Sequence, residues 1–231
     1  MGFLDRLRRA GEAGAAPAVG GLADETTAAP TGPAPGFVSA PADRPSRDEQ
    51  LEWLEESARE LVAPALLGQD EVREALVGQY VEDDELDLTD ADVGSVVELV
   101  WSERLRVEAT WTDEGDYGRV RDAFAALETD GIVARMSFTC CQTCGHAEID
   151  GERGVASRGY VFFDQQDAER LAPGGSDLFL AFGGYEVPDE VVAGEVVAAL
   201  TTQGLAVEWD GTAAQRVLVS AVDWRKRVPP A

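Results

Sequence analysis

The feature that most constrains this chain is a change of apolar period at Gly131. Before it, apolar residues recur every three or four positions. After it, they alternate. Four amphipathic stripes precede the switch. Leu51, Leu54, Ala58, Leu61 and Val62 form the first, opened by Ser46-Arg47-Asp48-Glu49, which fits a capping box. Val72, Leu76 and Tyr80 predict a second helix over about 70–81. A third starts near Thr89 or Asp90 and carries Val93, Val96, Val97, Val100 and Trp101. A fourth, over about 116–129, aligns Tyr117, Val120, Phe124 and Leu127. Beyond Gly131, Ile132, Ala134, Met136 and Phe138 alternate with Val133, Arg135 and Ser137, which is strand spacing. Further strands are predicted at 158–163, 177–182, 205–209 and 215–222. Two more helices are predicted at 164–172 and 188–203, with Gly204 at the C′ position of the second. The expected fold class is α+β: an N-terminal helical half (47–130) packed on a mostly antiparallel five-stranded half (131–228), together one domain over 47–228.

The preceding segment has a different character. Of residues 10–46, 23 are Ala, Gly or Pro, and no apolar period runs through them, so 1–46 is expected to be a disordered arm. Its first nine residues put Phe3, Leu4 and Leu7 on one helical face with Arg6, Arg8 and Arg9 mostly off it. That basic start suits a membrane surface or a partner, but is marginal as an isolated helix. The Gly2 start does not match a myristoylation signal, because Arg6 stands where Ser or Thr is needed.

Charge narrows the range of partners. The chain of 231 residues carries a net charge of −25. Residues 48–130 hold 25 acids against 6 Arg, so the helical half accounts for most of the excess. Such a field repels nucleic acid and anionic lipid, and suits either solubility or a protein partner with a basic face. The acidic run Glu82-Asp83-Asp84-Glu85-Leu86-Asp87 lacks the spaced oxygen ligands and the Gly of a calcium loop. No apolar stretch approaches 18 residues, so no transmembrane segment is expected.

The chemistry is concentrated in Cys140-Cys141-Gln142-Thr143-Cys144-Gly145-His146, which holds all three cysteines and the single histidine. Cysteines confined to five residues do not staple a secreted domain, so a reducing, cytoplasmic setting with free or metal-bound thiols is expected. Three uses remain open. Cys141-x-x-Cys144 has zinc-knuckle spacing, with Cys140 and His146 as candidate third and fourth ligands. Against this, adjacent cysteines tend to point opposite ways, and no second Cys pair exists. Alternatively, a helix starting near Cys141 would place a redox pair on its first turn, with Cys141 attacking and Cys144 resolving. The strand–helix–strand unit expected ahead of a thioredoxin-type motif is missing. Lastly, all three thiols could simply pack as small apolar groups. Gly-x-Ser-x-Gly, P-loop and His-Glu-x-x-His patterns are absent, and the sequence names no reaction. Asp164, Asp210 and Asp223 lie near strand ends, where acids usually serve as caps or turns.

Several strings are similar to a known pattern: Ala123-Phe124-Ala125-Ala126-Leu127, Gly131-Ile132-Val133-Ala134-Arg135, Phe138-Thr139-Cys140-Cys141-Gln142-Thr143-Cys144-Gly145, Gly159-Tyr160-Val161-Phe162-Phe163-Asp164 and Val207-Glu208-Trp209-Asp210-Gly211. Together they resemble an uncharacterised bacterial domain-of-unknown-function family marked by Phe-Thr-Cys-Cys-Gln-x-Cys-Gly, over roughly residues 48–228. The resemblance brings no activity with it. It implies that Cys140, Cys141 and Cys144 are a shared feature. The expected function is that of a non-enzymatic binding or regulatory protein in which Cys140, Cys141, Cys144 and His146 either hold zinc or form a structural knot. The alternative is a thiol–disulfide protein or sensor using Cys141 and Cys144.

Overall fold

The computed structural model describes residues 44–82 and 86–230. The expected arm lies outside the described residues apart from 44–46, and so do residues 83–85 of the acidic run. The architecture is α+β, as the period switch predicts. Helices α1 (Arg47–Val62), α2 (Gln69–Tyr80), α3 (Asp90–Glu108) and α4 (Gly115–Thr129) come first. They are followed by β1 (Ile132–Arg135), α5 (Gln142–Glu148), a 3-10 turn (Ile149–Glu152), β2 (Gly159–Phe162) and α6 (Gln165–Ala168). The chain then forms β3 (Ser176–Gly184), α7 (Asp189–Thr202), β4 (Val207–Glu208) and β5 (Val217–Val222). Among the described residues no helix is long and apolar enough to cross a membrane.

Capping sets the first helix boundaries. The Ser46 hydroxyl accepts from the Glu49 amide while the Glu49 carboxylate accepts from the Ser46 amide, closing a reciprocal box. Thr89 and Asp92 repeat the device at the start of α3. The stripes of α1, α2 and α3 then meet in one apolar core built from Leu54, Ala58, Val72, Leu76, Val93, Val97 and Trp101.

Helix α4 does not belong to that bundle, although its stripe reads like the other three. Val120, Ala123, Phe124 and Leu127 pack instead on the sheet, beside Val192, Ala193, Val196 and Leu200 of α7. The sheet order is β1-β2-β3-β5-β4, with β1 and β2 parallel and the other pairs antiparallel. Strand alternation divides the faces. Ile132, Ala134, Val161, Leu178 and Leu180 face α4 and α7. Val133, Phe162 and Ala181 face the other way, towards Ile149 of the 3-10 turn. The sheet therefore has two helical layers, a thick one and a thin one.

The two large cores are joined by the last described residues. The Trp224 indole is buried, donates to the Pro64 carbonyl at 3.1 Å and meets the Tyr117 ring edge-on at 4.9 Å. Lys226 donates to the Ala65 carbonyl at 2.6 Å. Val228 enters the bundle core, and its amide donates to Glu108 at 2.9 Å. Glu108 is itself buried against Arg104, with Nε to Oε1 at 2.8 Å. Residues 224–228 thus act as a strap across the bundle and the sheet.

Candidate metal centre

The cysteine segment is the crossover between β1 and β2. Parallel neighbours need a connection long enough to carry the chain back, and here it contains α5. The strand–helix–strand unit not found ahead of the motif is built around the motif itself. The predicted strand over 132–138 stops at Arg135, because Ser137 and Thr139 turn out of it with φ of 51° and 55°. Left-handed backbone costs a non-glycine residue about 1–2 kcal/mol. It is held here from both sides. The Phe138 amide donates to the Phe163 carbonyl at 2.8 Å, and the Gln165 amide donates to the Thr139 carbonyl at 3.1 Å. The loop is thereby stitched to the chain leaving β2, at the carboxyl ends of the two parallel strands.

Cys141 is the residue just before α5, with extended backbone, and the Cys141 carbonyl accepts the Gly145 amide at 2.9 Å. Helix α5 sits close to the sheet because position 145 has no side chain. A Cβ there would collide with the Phe162 ring, with Cζ 2.5 Å away. Phe162 is fully buried, so the contact fixes the height and angle of α5, and with them the positions of Cys141 and Cys144.

The outcome is convergence. The Sγ atoms of Cys140, Cys141 and Cys144 all lie within 4.8 Å of one another, and all three residues are half-buried free thiols. The turn at Thr139 precedes an adjacent cysteine pair whose sulfurs meet rather than diverge. The thiols are electrostatically unequal. The Cys141 sulfur makes no capping hydrogen bond, yet the nearby Cys144 amide, followed by the Cys144 and Cys140 thiols and lastly the Thr143 amide, lowers its pKa. Cys144 is pushed up to about 11 by hydrogen bonds to Cys140 and Cys141 and by the charge they acquire on ionisation. Three adjacent thiolates repel one another unless a cation joins them.

His146 lies elsewhere. Its Nδ1 is 3.0 Å from the Tyr160 hydroxyl, and its Nε2 is 3.4 Å from the Gln142 side-chain nitrogen. The imidazole packs edge-on against Phe162 and Tyr160, at 5.2 and 5.9 Å between centroids. Although the residue keeps an exposed edge, loss of water around the ring lowers its pKa, the Arg216 charge adds to this, and Asp189 opposes it. The imidazole is not among the donors that converge with the sulfurs.

Tyr160 carries no site signal of its own in the sequence, and Gly145, which could have supplied a positive φ in the cysteine segment, instead lies inside α5 without one. Their roles are visible only once β2 lies under α5. The one available signal was that Tyr160 and Phe162 share a strand face. Asp164 caps α6 and Asp210 accepts the Thr212 amide within its turn, whereas Asp223 is a long-range tie that accepts the Gly174 amide from 49 positions upstream.

Fold and site together define an α+β protein with a half-exposed, three-cysteine cluster at the end of a parallel strand pair. The chain belongs to a family described as a domain of unknown function (DUF6891), whose model matches residues 47–228. The match begins at the first residue of α1 and ends at Val228 of the strap. No curated protein and no solved structure matches the chain.

Proposed function

We propose that this is a non-enzymatic binding or regulatory protein in which Cys140, Cys141 and Cys144 hold one zinc ion as thiolates. The observation that carries the reading is the convergence of three sulfurs to within 4.8 Å. Zinc–sulfur bonds of about 2.3 Å in a tetrahedral arrangement separate sulfurs by roughly 3.8 Å. Closing the cluster around an ion therefore needs a movement of about 1 Å or less. Thiolates are soft donors that suit zinc. Half-burial gives the ion a path in without leaving the thiols to bulk oxidants. Three protein ligands leave a fourth corner for water or an outside donor. The free thiols fit a reducing compartment such as the cytoplasm, and the acidic helical half suits a protein partner with a basic face rather than nucleic acid.

The test is metal analysis of the reduced, purified chain. One zinc per chain is expected, released by a thiol-blocking reagent and lost in Cys141→Ser and Cys144→Ser. Metal-free protein that forms a reversible Cys141–Cys144 disulfide would move the reading to thiol redox sensing. Three metal-free, unreactive thiols would remove both.

A further inference from the structure

The site offers three soft donors. The imidazole that would complete a four-coordinate set is held by Tyr160 and Gln142 instead. Among the described residues no carboxylate joins the three sulfurs at that range. An ion that needs four protein ligands is poorly served by such a set. An ion that fills its shell with three sulfurs and one lone pair of its own is well served.

We propose that the cluster is a three-coordinate site for trivalent thiophilic metalloids, for which arsenite is the probe. This rests on the sulfur convergence that also underlies the zinc reading, but not on zinc itself. The chemistry is ligand exchange without electron transfer. Neutral arsenous acid carries three As–OH groups. Each Cys S–H attacks arsenic, one As–S bond forms, one As–O bond breaks, and the thiol proton leaves with the hydroxide as water. Three thiols and one arsenous acid give one tris-thiolate and three waters.

Charge supports the assignment. The incoming molecule is neutral, so the field of a chain with net charge −25 does not repel it. Three thiolates on a divalent ion keep one negative charge, which adds to that of an acidic protein. Three on a trivalent centre keep none. The arrangement also supplies preorganisation. Phe162 under Gly145 and the stitched loop support a cluster whose three sulfurs already lie within 4.8 Å of one another, so the second and third bonds form at high effective concentration.

The full chain is reduced, freed of metal and titrated with arsenite. Free thiols are counted with an aromatic disulfide reagent, and the arsenic–thiolate absorption is followed in the ultraviolet. One equivalent of arsenite is expected to protect all three thiols. Cys140→Ser, Cys141→Ser and Cys144→Ser should each weaken binding roughly tenfold or more, because a chelate bond is lost. His146→Ala should leave it unchanged. An endpoint of two thiols per arsenic overturns the proposal, as does wild-type affinity in Cys140→Ser or a loss in His146→Ala. The wild-type endpoint needs no variant, so a misfolded mutant does not blunt the test. Zinc stoichiometry on the same preparation separates the two readings. Zinc binding with a two-thiol arsenite endpoint sinks this inference alone. A three-thiol endpoint without zinc binding sinks the zinc reading alone.

Discussion

Gly145→Ala tests whether the packing under α5 sets the geometry of the sulfurs. In an exposed helix this change stabilises, since Ala is favoured over Gly by up to about 1 kcal/mol. Here the added methyl would enter the Phe162 ring. That ring is fully buried and has no free direction to move. Overpacking of this kind costs about 1–3 kcal/mol. Set against a full 1 kcal/mol of propensity, the expected loss is about 0–2 kcal/mol, or a fall in Tm of up to roughly 8 °C for a chain of this size. The functional consequence should be larger than the loss of stability. To admit the methyl, α5 must lift from β2 and carry Cys141 and Cys144 with it, while Cys140 stays with the stitched loop. Disturbing the support of a metal site typically costs about 10–100-fold in affinity. Urea unfolding and competitive zinc titration, each against wild type, measure the two effects. A variant that gained about 1 kcal/mol and bound metal like wild type would show that α5 does not rest on Phe162, and the account of the site would fail with it.

Other perturbations probe the strap and the histidine. Trp224→Ala should cost about 3–5 kcal/mol in chemical denaturation, as expected for removal of a buried aromatic. Trp224→Phe should cost about 1 kcal/mol for the lost bond to Pro64; a neutral Ala variant would remove the strap from the stability argument. Glu108→Ala leaves both Arg104 and the Val228 amide short of a partner and should cost about 3–5 kcal/mol, and a double-mutant cycle with Arg104→Met isolates the pairing; a coupling near zero would refute it. The single histidine gives one imidazole to follow by NMR, and it should titrate below 6.5. Because the folded pKa is depressed, the unfolded chain takes up its proton first. The associated stability is present above about 6.5 and is lost as pH falls through the folded value. Zinc should leave that titration in place; abolishing it would make His146 a ligand.

What the sequence revealed was whatever short-range chemistry determines. The capping box at Ser46, the start of α3 near Thr89, the stripes of α1 to α3 and the period switch at Gly131 depend on neighbours within a turn, and all appear where expected. Gly131 adopts φ of 83°, with the Ala156 carbonyl 2.9 Å from where a Cβ would be, so the residue marking the switch is needed there for steric reasons. Long-range choices left no local trace. The stripe of α4 is amphipathic whether it meets helices or a sheet, and only the tertiary fold sends Phe124 to Phe163. Nothing near Ile132 or Gly159 specifies that β1 and β2 run parallel. At the site, the spacing of Cys140, Cys141 and Cys144 was plain, while their convergence depends on positive φ at Thr139, which Thr rarely adopts. His146 is a candidate fourth ligand by proximity in sequence, yet its ring is not among the donors that converge. Its Nδ1 lies 3.0 Å from the Tyr160 hydroxyl, fourteen residues on, a contact that sequence spacing does not reveal.

The strap has a consequence for the order of assembly. Apart from Val228 in the bundle core and Leu66 against the sheet core, each core is built from one stretch of chain, so most of each can condense once its own segment leaves the ribosome. Trp224, Lys226 and Val228 emerge after every helix and strand described here, and the carbonyl partners of Trp224 and Lys226, at Pro64 and Ala65, lie about 160 positions upstream. During synthesis, the bundle and the sheet wait unlocked beside one another. A nascent chain halted before Trp224 should therefore show native-like helix and sheet content yet yield readily to protease between residues 63 and 68, and full length should close that cut.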